Sequence, residues 1–229
     1  MPVALVTGAS AGLGRALAAA LADQRWTLIL DGRRPGPLAA VAAALADRAA
    51  VTAVPGDVAD PAHRADLAAA ATAAGGLDLL VNNASSLGPT PLPALRDLDA
   101  ADLAAVLEVN VTAPLALIRA ALPRPGGVVV NISSDAAVAH YPHWGAYGAS
   151  KAALDHLTAT LAAENPGVRW YAVDPGDMRT AMHQAAFPGA DISDRPLPAS
   201  VVPALLRLLD EAPASGRYRA ADLAAAVPA

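Results

Sequence analysis

The feature that most constrains the fold is a regular alternation of short apolar runs with longer Ala- and Leu-rich segments. The runs predicted as strands are Val3–Thr7, Trp26–Asp31, Val51–Val54, Leu77–Asn82, Val128–Ser133, Val168–Asp174 and, last and shortest, Arg217–Arg219. The segments predicted as helices are Gly12–Asp23, Leu38–Asp47, Pro61–Ala73, Asp99–Leu122, Trp144–Glu164 and Ala199–Leu209. Strands that alternate with helices pair in parallel, and a parallel sheet is buried on both faces. The sequence therefore predicts an α/β fold, with a doubly wound parallel sheet of about seven strands covered by helices on both faces.

Chain length and the positions of helix breakers predict one domain. At 229 residues the chain suits a single α/β domain, and no internal repeat or second hydrophobic core is visible over 1–229. Pro114 lies inside the longest predicted helix and should either kink it or split it. The Pro- and Gly-rich stretch Pro188–Pro198 predicts a mobile loop, which would form part of a short substrate lid at about 177–198.

Composition argues against several classes of protein. A net charge of −5 disfavours nucleic acid as a partner. The lack of cysteine excludes disulfides and thiolate metal sites, and it is compatible with a reducing cytoplasm. The histidines lack paired ligand spacing, so we expect no metal. Gly, Pro, Asp and Arg interrupt the apolar runs short of a membrane span, and Met1–Ala4 leads into a strand without a basic, cleavable start. We therefore expect a cytoplasmic protein that binds neither membranes nor nucleic acid.

A glycine-rich turn joins the first predicted strand to the first predicted helix. Its sequence is Thr7-Gly8-Ala9-Ser10-Ala11-Gly12-Leu13-Gly14. Glycines at such a junction let the backbone approach a pyrophosphate, whose charge suits the N-terminus of the following helix. A plain tight turn is the alternative, because the spacing GxxxGxG differs from the commoner GxGxxG pattern. The position of the turn in an α/β chain favours nucleotide binding.

Tyr147 and Lys151 are four residues apart and so lie on one face of a predicted helix. Lys151 is the single lysine in a chain with 15 arginines, which indicates that this position requires a compact ammonium and not a guanidinium. An ammonium held near a phenol lowers the phenol's pKa from about 10 and lets the phenol exchange a proton near neutral pH. The alternative is an ordinary helix pair, with the ring packed inward and the ammonium in water.

Further polar and turn motifs follow the carboxyl ends of successive predicted strands. They are Asp57-Val58, Asn82-Asn83-Ala84, Ser133-Ser134 and Pro175-Gly176. Each motif alone is a common turn or cap. Together they fall on the edge of the sheet at which open α/β folds bind their ligands.

Taken in order, these motifs make the chain similar to the classical short-chain dehydrogenase/reductase (SDR) family from end to end. The matching residues are Thr7–Gly14, Asp57, Asn82–Ala84, Asn110, Ser134, Tyr147 with Lys151, and Pro175-Gly176 with Thr180. The resemblance implies a Rossmann-like sheet with strand order 3-2-1-4-5-6-7. It also implies a hydride-transfer enzyme, either a ketone or carbonyl reductase or an alcohol dehydrogenase. The motifs do not identify the substrate.

The resemblance implies roles for four catalytic residues. Tyr147 would protonate the nascent alkoxide or deprotonate the alcohol, and Lys151 would lower the pKa of Tyr147 and bind the nicotinamide ribose. Ser134 would hydrogen-bond the substrate carbonyl, and Asn110 would hold a water that links Lys151 to solvent. The alternatives are a strand-end cap for Ser134 and a buried amide that stabilises a helix bend for Asn110. The residues implied in cofactor binding are Gly8, Ser10, Gly12, Leu13, Gly14, Arg33, Arg34, Asp57, Val58, Asn83, Ala84, Tyr147, Lys151, Pro175, Gly176 and Thr180.

The end of the second strand predicts NADP(H) in preference to NAD(H). An acidic residue there bonds the ribose 2′-hydroxyl of NAD, whereas an arginine accommodates the 2′-phosphate of NADP. The family's acid usually stands where this chain has Gly32, and Arg33 with Arg34 follows. Asp31 is one position earlier, so its side chain should point to the other face of the strand. Two observations weigh against NADP(H): Ala11 occupies another position that is basic in some NADP enzymes, and a slip of one residue would bring Asp31 to the ribose.

The substrate region departs from the family or varies within it. Ser85 replaces the glycine that usually follows Asn-Asn-Ala, and it should narrow the space near the nicotinamide or add a polar contact. Tyr141, Trp144 and, from the lid, His183 are candidate substrate contacts, and they suggest a flat or aromatic carbonyl compound. Other rings in the same regions are His140, His143 and Phe187. The alternative has Trp144 anchoring the helix N-terminus and the histidines facing water.

The resemblance also bears on assembly and on rival functions. It implies a homo-dimer or homo-tetramer that pairs through Asp99–Leu122 and Trp144–Glu164. The tail Arg217–Asp222 differs from the family tail that helps tetramers pack, which weighs against the usual tetramer. A non-catalytic dinucleotide sensor or scaffold of the same fold is one rival, although such a protein should lose Tyr147 or Lys151. A dehydratase or epimerase of the extended relatives is the other, and it needs a larger C-terminal substrate domain.

Overall fold

The computed structural model describes residues 1–225 and contains the predicted sheet. Seven parallel strands pair in the order 3-2-1-4-5-6-7, which confirms the α/β prediction. The strands are β1 (Val3–Val6), β2 (Thr27–Gly32), β3 (Val51–Pro55), β4 (Leu79–Asn82), β5 (Val128–Ile132), β6 (Arg169–Asp174) and β7 (Gly216–Arg219). The strand order reverses beside β1, which pairs with β2 on one side and with β4 on the other. This reversal opens a crevice beyond the carboxyl ends of the strands.

Helices connect the strands and cover both faces of the sheet. They are α1 (Gly12–Asp23), α2 (Pro35–Leu45), α3 (Pro61–Ala73), α4 (Ala100–Leu107), α5 (Ala113–Ala120), α6 (Gly145–Glu164), α7 (Ala181–Ala186), α8 (Val202–Glu211) and α9 (Ala220–Ala225). Two of them, α7 and α9, are absent from the sequence prediction. Each has six residues, which is too short for a helical repeat of apolar positions to show.

Alternate residues of the strands build two separate apolar layers. On one face Val6 and Leu30 pack with α1, α2 and α8, through residues such as Leu17 and Leu205. On the other face Leu5 and Ile29 pack with α3, α5 and α6, and Leu67 and Leu117 complete that layer. Because side chains of a strand alternate between faces, adjacent residues of one strand serve different layers. This alternation becomes important at the end of β2.

The predicted helix Asp99–Leu122 is interrupted, although not at Pro114 itself. A π-helical segment, Glu108–Thr112, separates α4 from α5, and Pro114 follows inside α5. Proline has no N–H, so Pro114 cannot bond the carbonyl of Asn110 four residues earlier. The missing bond accounts for an irregular turn just before the proline. It leaves Asn110 buried at the centre of the interruption.

One stretch contradicts the expectation that every apolar run is too short to span a membrane. Residues Ala100–Ala120 are long and apolar enough, with a mean hydropathy of 1.6 over their most apolar window. In this fold the stretch comprises α4, the π segment and α5, which pack against α3 and α6. Only length and composition indicate a membrane span, and a core helix meets the same criteria.

Candidate active site

A cavity of about 1040 Å³ lies beyond the carboxyl ends of the strands. This volume is at the upper end of the range of about 300–1,000 Å³ found for small-molecule sites. The cavity brings together the glycine turn, the end of β2, the loops after β3 to β6, the start of α6 and the segment before and within α7. Nearly every predicted site residue lines it. The two exceptions are Gly14 and Asn110, which lie behind its wall.

The glycine turn is closed by the side chains that directly follow β1 and β4, Thr7 and Asn83. The Thr7 hydroxyl accepts hydrogen bonds from the backbone N–H groups of Asn83 and Ala84 at 2.9 and 3.0 Å, and the Asn83 amide donates to the Thr7 carbonyl at 2.8 Å. Gly8 has φ +64°, and a Cβ on it would lie 2.9 Å from Asn83 Nδ2. A Cβ on Gly14 would lie 2.6 Å from that same nitrogen. Side chains at these positions would therefore fill the cradle in which α1 begins.

The cradle fits a dinucleotide. The first residues of α1 line the cavity, so the unbonded N–H groups and the positive dipole end of the helix face it. These groups bind phosphate in many proteins. Asp57, Val58, Asn83, Ala84 and Thr180 line the same part of the cavity, as the sequence predicted.

Adjacent residues at the end of β2 point to opposite faces of the sheet. The Asp31 carboxylate is buried, with Oδ1 2.6 Å from His63 Nε2 of α3, and its Oδ2 accepts a hydrogen bond from Gly8 N at 3.1 Å. Burial raises the pKa of Asp31, and the bonds from His63 and Gly8 partly offset that effect. A Cβ on Gly32 would instead lie 3.0 Å from Ser10, on the α1 side. The predicted register is confirmed, because Asp31 faces α3 and both of its oxygens are occupied.

Arg33 and Arg34 follow Gly32 at the rim of the cavity. Both are exposed, and within residues 1–225 neither forms an ion pair. Two unpaired guanidinium groups beside a residue without a side chain leave room for an anion such as a phosphate. His63, which holds Asp31 away from this rim, was not found by sequence reasoning, since its partner is 32 residues away.

Tyr147 and Lys151 lie one turn apart on α6, with the ammonium over the phenol ring. Lys151 Nζ is 5.4 Å from the centre of the Tyr147 ring and donates to the Ile132 carbonyl at 2.8 Å. Burial lowers the pKa of Lys151 to about 8, against a smaller opposing effect of Asp155. Burial also raises the pKa of Tyr147 to about 12, although hydrogen bonds with Ser134 and Ser85 offset part of it. The expected lowering of the Tyr147 pKa by Lys151 is therefore not found in this structure.

Ser134 belongs to a hydrogen-bonded chain at the start of the loop after β5. Its hydroxyl donates to Asp135 Oδ1 at 3.0 Å and accepts from Ala136 N at 3.2 Å. The Tyr141 hydroxyl donates to the other oxygen of Asp135 at 2.8 Å. Ser134 is thus also the cap that the alternative reading expected, because it opens a 3₁₀ turn, Asp135–Ala137. Asp135 was not predicted, since nothing in its local sequence distinguishes it from a solvated surface acid.

The Asn110 side chain is saturated by protein groups. Its Oδ1 accepts from Ser86 N and the Ser85 hydroxyl, and its Nδ2 donates to the Ser86 carbonyl and the Ser150 hydroxyl, at 2.8 to 3.1 Å. An amide has two donors and one oxygen with two lone pairs, so no capacity is left for a water. The predicted water would have to be held by the Asn110 carbonyl, which Pro114 leaves without its usual partner. Ser85 adds the polar contact expected of it, since it reaches both Asn110 and Tyr147.

Aromatic rings surround Tyr147 on the side away from the glycine turn. The Trp144 ring is 5.6 Å from that of Tyr147 and 5.9 Å from that of Phe187, and His183 is 4.9 Å from Phe187. Tyr141, Trp144 and His183 all line the cavity, as predicted. Trp144 also stands at the N-cap of α6, as the alternative interpretation held. The first half of the expected lid lines the cavity as far as Phe187, whereas residues 188–198 do not.

Comparison with known proteins gives the same assignment as this geometry. A family model described as short chain dehydrogenase matches residues 2–191. The chain belongs to the short-chain dehydrogenase family. A relative named sulfoacetaldehyde reductase 2, from Chromohalobacter salexigens, is 36% identical over 186 residues, which cover 78% of this chain and 73% of the relative. The chain is accordingly an enzyme of the short-chain dehydrogenase type.

Solved structures of the family superpose over nearly the whole chain. A protein from Shigella flexneri 2a in complex with NADP has a TM-score of 0.87 at 29% identity, covering 96% of this chain and 97% of that one. A protein from Escherichia coli CFT073 in complex with NADPH has a TM-score of 0.86 at 30% identity and covers 96% of each chain.

In this short-chain dehydrogenase an arginine of β7 supports the site from outside the cavity. Arg217 Nε donates to Asp155 Oδ2 and its Nη2 donates to the Ser134 carbonyl, both at 2.9 Å, and Nη2 lies 3.4 Å from Asp174. One side chain thereby ties α6, the Ser134 loop and the end of β6 together. Sequence reasoning placed Arg217 only in a short last strand, because its three partners lie 43 to 83 residues earlier.

Proposed function

We propose that the chain is an NADP(H)-dependent ketone or carbonyl reductase, or an alcohol dehydrogenase, that acts on small carbonyl compounds or alcohols, aromatic ones included. The observation that carries the proposal is that Tyr147, Ser134 and Lys151 line a single cavity that continues to the glycine turn, so that the hydroxyls of Tyr147 and Ser134 face the same space. A substrate oxygen between these hydroxyls would lie next to the nicotinamide end of a dinucleotide held by the turn. Cofactor binding and proton transfer would therefore take place in the same cavity.

The residues present fit NADP(H). The N-terminus of α1 and the glycine cradle suit the diphosphate, and Arg33 with Arg34 suits the 2′-phosphate. Gly32 leaves space there, and Asp31 is held away by His63. The NADP and NADPH complexes of the two similar structures support this choice over NAD(H). When bound, the cofactor supplies or accepts the hydride.

Tyr147 supplies the matching proton. In reduction, the carbonyl carbon gains a hydride, the C=O double bond becomes single, and the oxygen takes the Tyr147 hydroxyl proton to give the alcohol. The phenolate that remains regains a proton from solvent. A pKa raised to about 12 keeps the hydroxyl protonated at neutral pH, which is the form needed for reduction. Ser134 would orient the substrate oxygen by turning its single hydroxyl proton from Asp135 to that oxygen. Lys151 would support the cofactor ribose.

A variant that removes one oxygen atom tests the mechanism. Tyr147→Phe keeps the ring but has no proton to donate, and general acids typically contribute about 10²–10⁴-fold to rate. We expect NADPH consumption with aryl ketones to fall by that factor, while NADPH binding measured by fluorescence stays within about threefold. A variant that retains half of the wild-type turnover would exclude Tyr147 as the acid. A wild type that binds NADPH but reduces no ketone in a broad panel would favour the non-catalytic sensor.

Assembly and location complete the proposal. We infer a homo-dimer or homo-tetramer in the cytoplasm, formed through the outer surfaces of α4, α5 and α6. Leu115 of α5 is 40% exposed, which is consistent with a covered surface in an assembly. Light scattering at micromolar concentration tests the oligomer, and a monomer would contradict it.

A further inference from the structure

Asp135 is a carboxylate beside the reacting centre that no cation neutralises. It is exposed, it lines the cavity, and its two oxygens accept hydrogen bonds from the hydroxyls of Ser134 and Tyr141. Within residues 1–225 it forms no ion pair. The other acids on this side of the cavity are paired, Asp177 with Arg195 at 3.3 Å and Asp174 with Arg217 at 3.4 Å. Asp135 therefore has no counter-ion among the described residues, and it lies close to the position of the substrate.

The charge of Asp135 affects the pKa of both neighbouring phenols, Tyr141 and Tyr147. Its hydrogen bond and its charge raise the pKa of Tyr141, and its charge adds to the burial that raises the pKa of Tyr147. The unpaired guanidinium groups of Arg33 and Arg34 line the opposite end of the cavity. Unpaired positive charges thus line the cavity where the adenosine end of a cofactor would lie, and an unpaired negative charge lines it where the substrate would lie.

We propose that the substrate half of the cavity selects carbonyl compounds and alcohols that carry a positively charged amine, and that Asp135 is the residue that determines this specificity. The inference rests on the proposed function, because it assigns a substrate class to the same site. A carboxylate can accept about four hydrogen bonds and Asp135 accepts two, so it has capacity left to bind an ammonium while Tyr141 stays bonded.

Aromatic walls strengthen the preference for a cation. Trp144 and Phe187 lie 5.9 Å apart with their planes tilted by 45°, and both line the cavity beside Tyr147. The faces of such rings attract cations. An anionic group in the same place would face the Asp135 carboxylate at short range, and the arginines that pair with the neighbouring acids Asp177 and Asp174, Arg195 and Arg217, are already engaged by carboxylates. Anionic substrates are therefore repelled by the Asp135 carboxylate, and the faces of the aromatic rings do not attract them.

Three ketones of one skeleton test the proposal at neutral pH. They are m-(aminomethyl)acetophenone, m-ethylacetophenone and (m-acetylphenyl)acetate, which share the aryl ketone and differ in the charge of the side chain. We expect kcat/KM with NADPH to favour the amine over the carboxylate by at least about tenfold in the wild type. In Asp135→Asn, which keeps the shape and loses the charge, the ratio should fall to within about threefold.

Matched variants separate charge from geometry. Tyr141→Phe removes a hydrogen bond to Asp135 but leaves its charge, so the ratio should be retained. Asp97→Asn neutralises an exposed carboxylate outside the cavity and should not change the ratio. An unchanged ratio in Asp135→Asn, or a wild type that prefers the carboxylate, would overturn the inference.

A binding measurement keeps the inference separate from the proposed function. If the wild type binds NADPH but reduces none of the three ketones and no other ketone of a broad panel, the proposed function fails, whatever the charge preference. Calorimetric titration of the three ketones into NADPH-loaded Tyr147→Phe then decides the inference without turnover. The amine should bind at least about tenfold more tightly than the carboxylate. Equal affinities, or tighter binding of the carboxylate, would overturn the inference even if the enzyme is an active reductase.

Discussion

The two halves of the cavity are built in different ways. On the cofactor side, Thr7 and Asp31 are buried and Asn83 is partly buried, and the Thr7 hydroxyl, both Asp31 oxygens and the Asn83 side-chain nitrogen have protein partners. On the substrate side, Asp135, Tyr141 and Phe187 are exposed, and Tyr141 and Phe187 keep 47% and 40% of their surface accessible. A change in the first group must break packing or leave a buried polar group unpaired, whereas a change in the second mainly alters what the cavity binds. Packing and hydrogen bonds of the fold therefore constrain the residues of the cofactor half. Residues of the substrate half can be replaced with little effect on stability.

Lys151 lies between the two halves and gives the largest expected effect on stability. Its pKa falls from 10.5 to about 8, which corresponds to about 3 kcal/mol against folding with a charged amine. The unfolded chain binds more protons than the folded one between these values, so stability should rise with pH in that window. Lys151→Met should therefore raise the free energy of unfolding by up to about 3 kcal/mol below pH 8 and lose this advantage towards pH 10.5.

Urea unfolding of Lys151→Met at several pH values provides the measurement, and activity should be lost at all of them. The lost bond to the Ile132 carbonyl makes the gain an upper limit. A variant that is less stable than the wild type at every pH would show that the buried Lys151 ammonium stabilises the fold. That result would contradict the predicted gain in stability and weaken the comparison between the two halves of the cavity.

Gly14→Ala tests the rigidity of the cofactor half. The new Cβ would lie 2.6 Å from Asn83 Nδ2 and from the Gly8 carbonyl, so the turn must shift. We expect a loss of about 1–3 kcal/mol in stability and at least about tenfold weaker NADPH binding. Gly36→Ala is the matched control, because nothing lies within 4 Å of a Cβ at that helical position. Phe187→Ala, in the substrate half, should change the free energy of unfolding by no more than about 0.5 kcal/mol. A larger loss would contradict the expectation that substitutions in the substrate half affect stability less than those in the cofactor half.

Arg33→Ala tests whether the cofactor half distinguishes NADP from NAD. Removal of a charge-assisted contact should weaken NADPH binding by about tenfold and leave NADH binding nearly unchanged. Arg48→Ala is the control, because that arginine pairs with Asp23 and does not line the cavity. Fluorescence titrations with both cofactors supply the ratio. If the ratio does not change, the phosphate is read by another residue.

Arg217→Gln gives the smallest expected effect. It removes the bonds to Asp155 and to the Ser134 carbonyl from a side chain that is 27% exposed, so we expect a loss of about 1 kcal/mol. Asp155, left without its cation, should raise the pKa of Lys151 further and move the alkaline limb of the activity profile upward. Addition of Asp155→Asn should reverse that movement. A purely structural role would leave the pH profile in place.

The sequence predicted features that depend on neighbouring residues. The ends of α3 match the prediction to the residue, because Asp60 caps the helix by accepting a bond from Ala62 N at 2.9 Å and Pro61 starts it. Strand order and the site motifs followed from alternation and from resemblance to the family. The π segment gave no local signal other than Pro114. The contacts of Asp31 with His63, and of Arg217 with Ser134, join residues far apart in the chain, and no local pattern encodes such pairs.

The placement of Asp31 and Gly32 on opposite faces of β2 has an evolutionary consequence. A change of cofactor preference from NADPH to NADH would need an acidic residue at position 32, since the Asp31 carboxylate already bonds His63 and Gly8. The Cβ of that acid would meet Ser10 at 3.0 Å, so the substitution is strained until Ser10 becomes smaller. The two positions are therefore coupled: an acid introduced at position 32 while Ser10 is unchanged requires Ser10 to shift, whereas glycine at position 10 removes both Ser10 atoms that the new Cβ would meet.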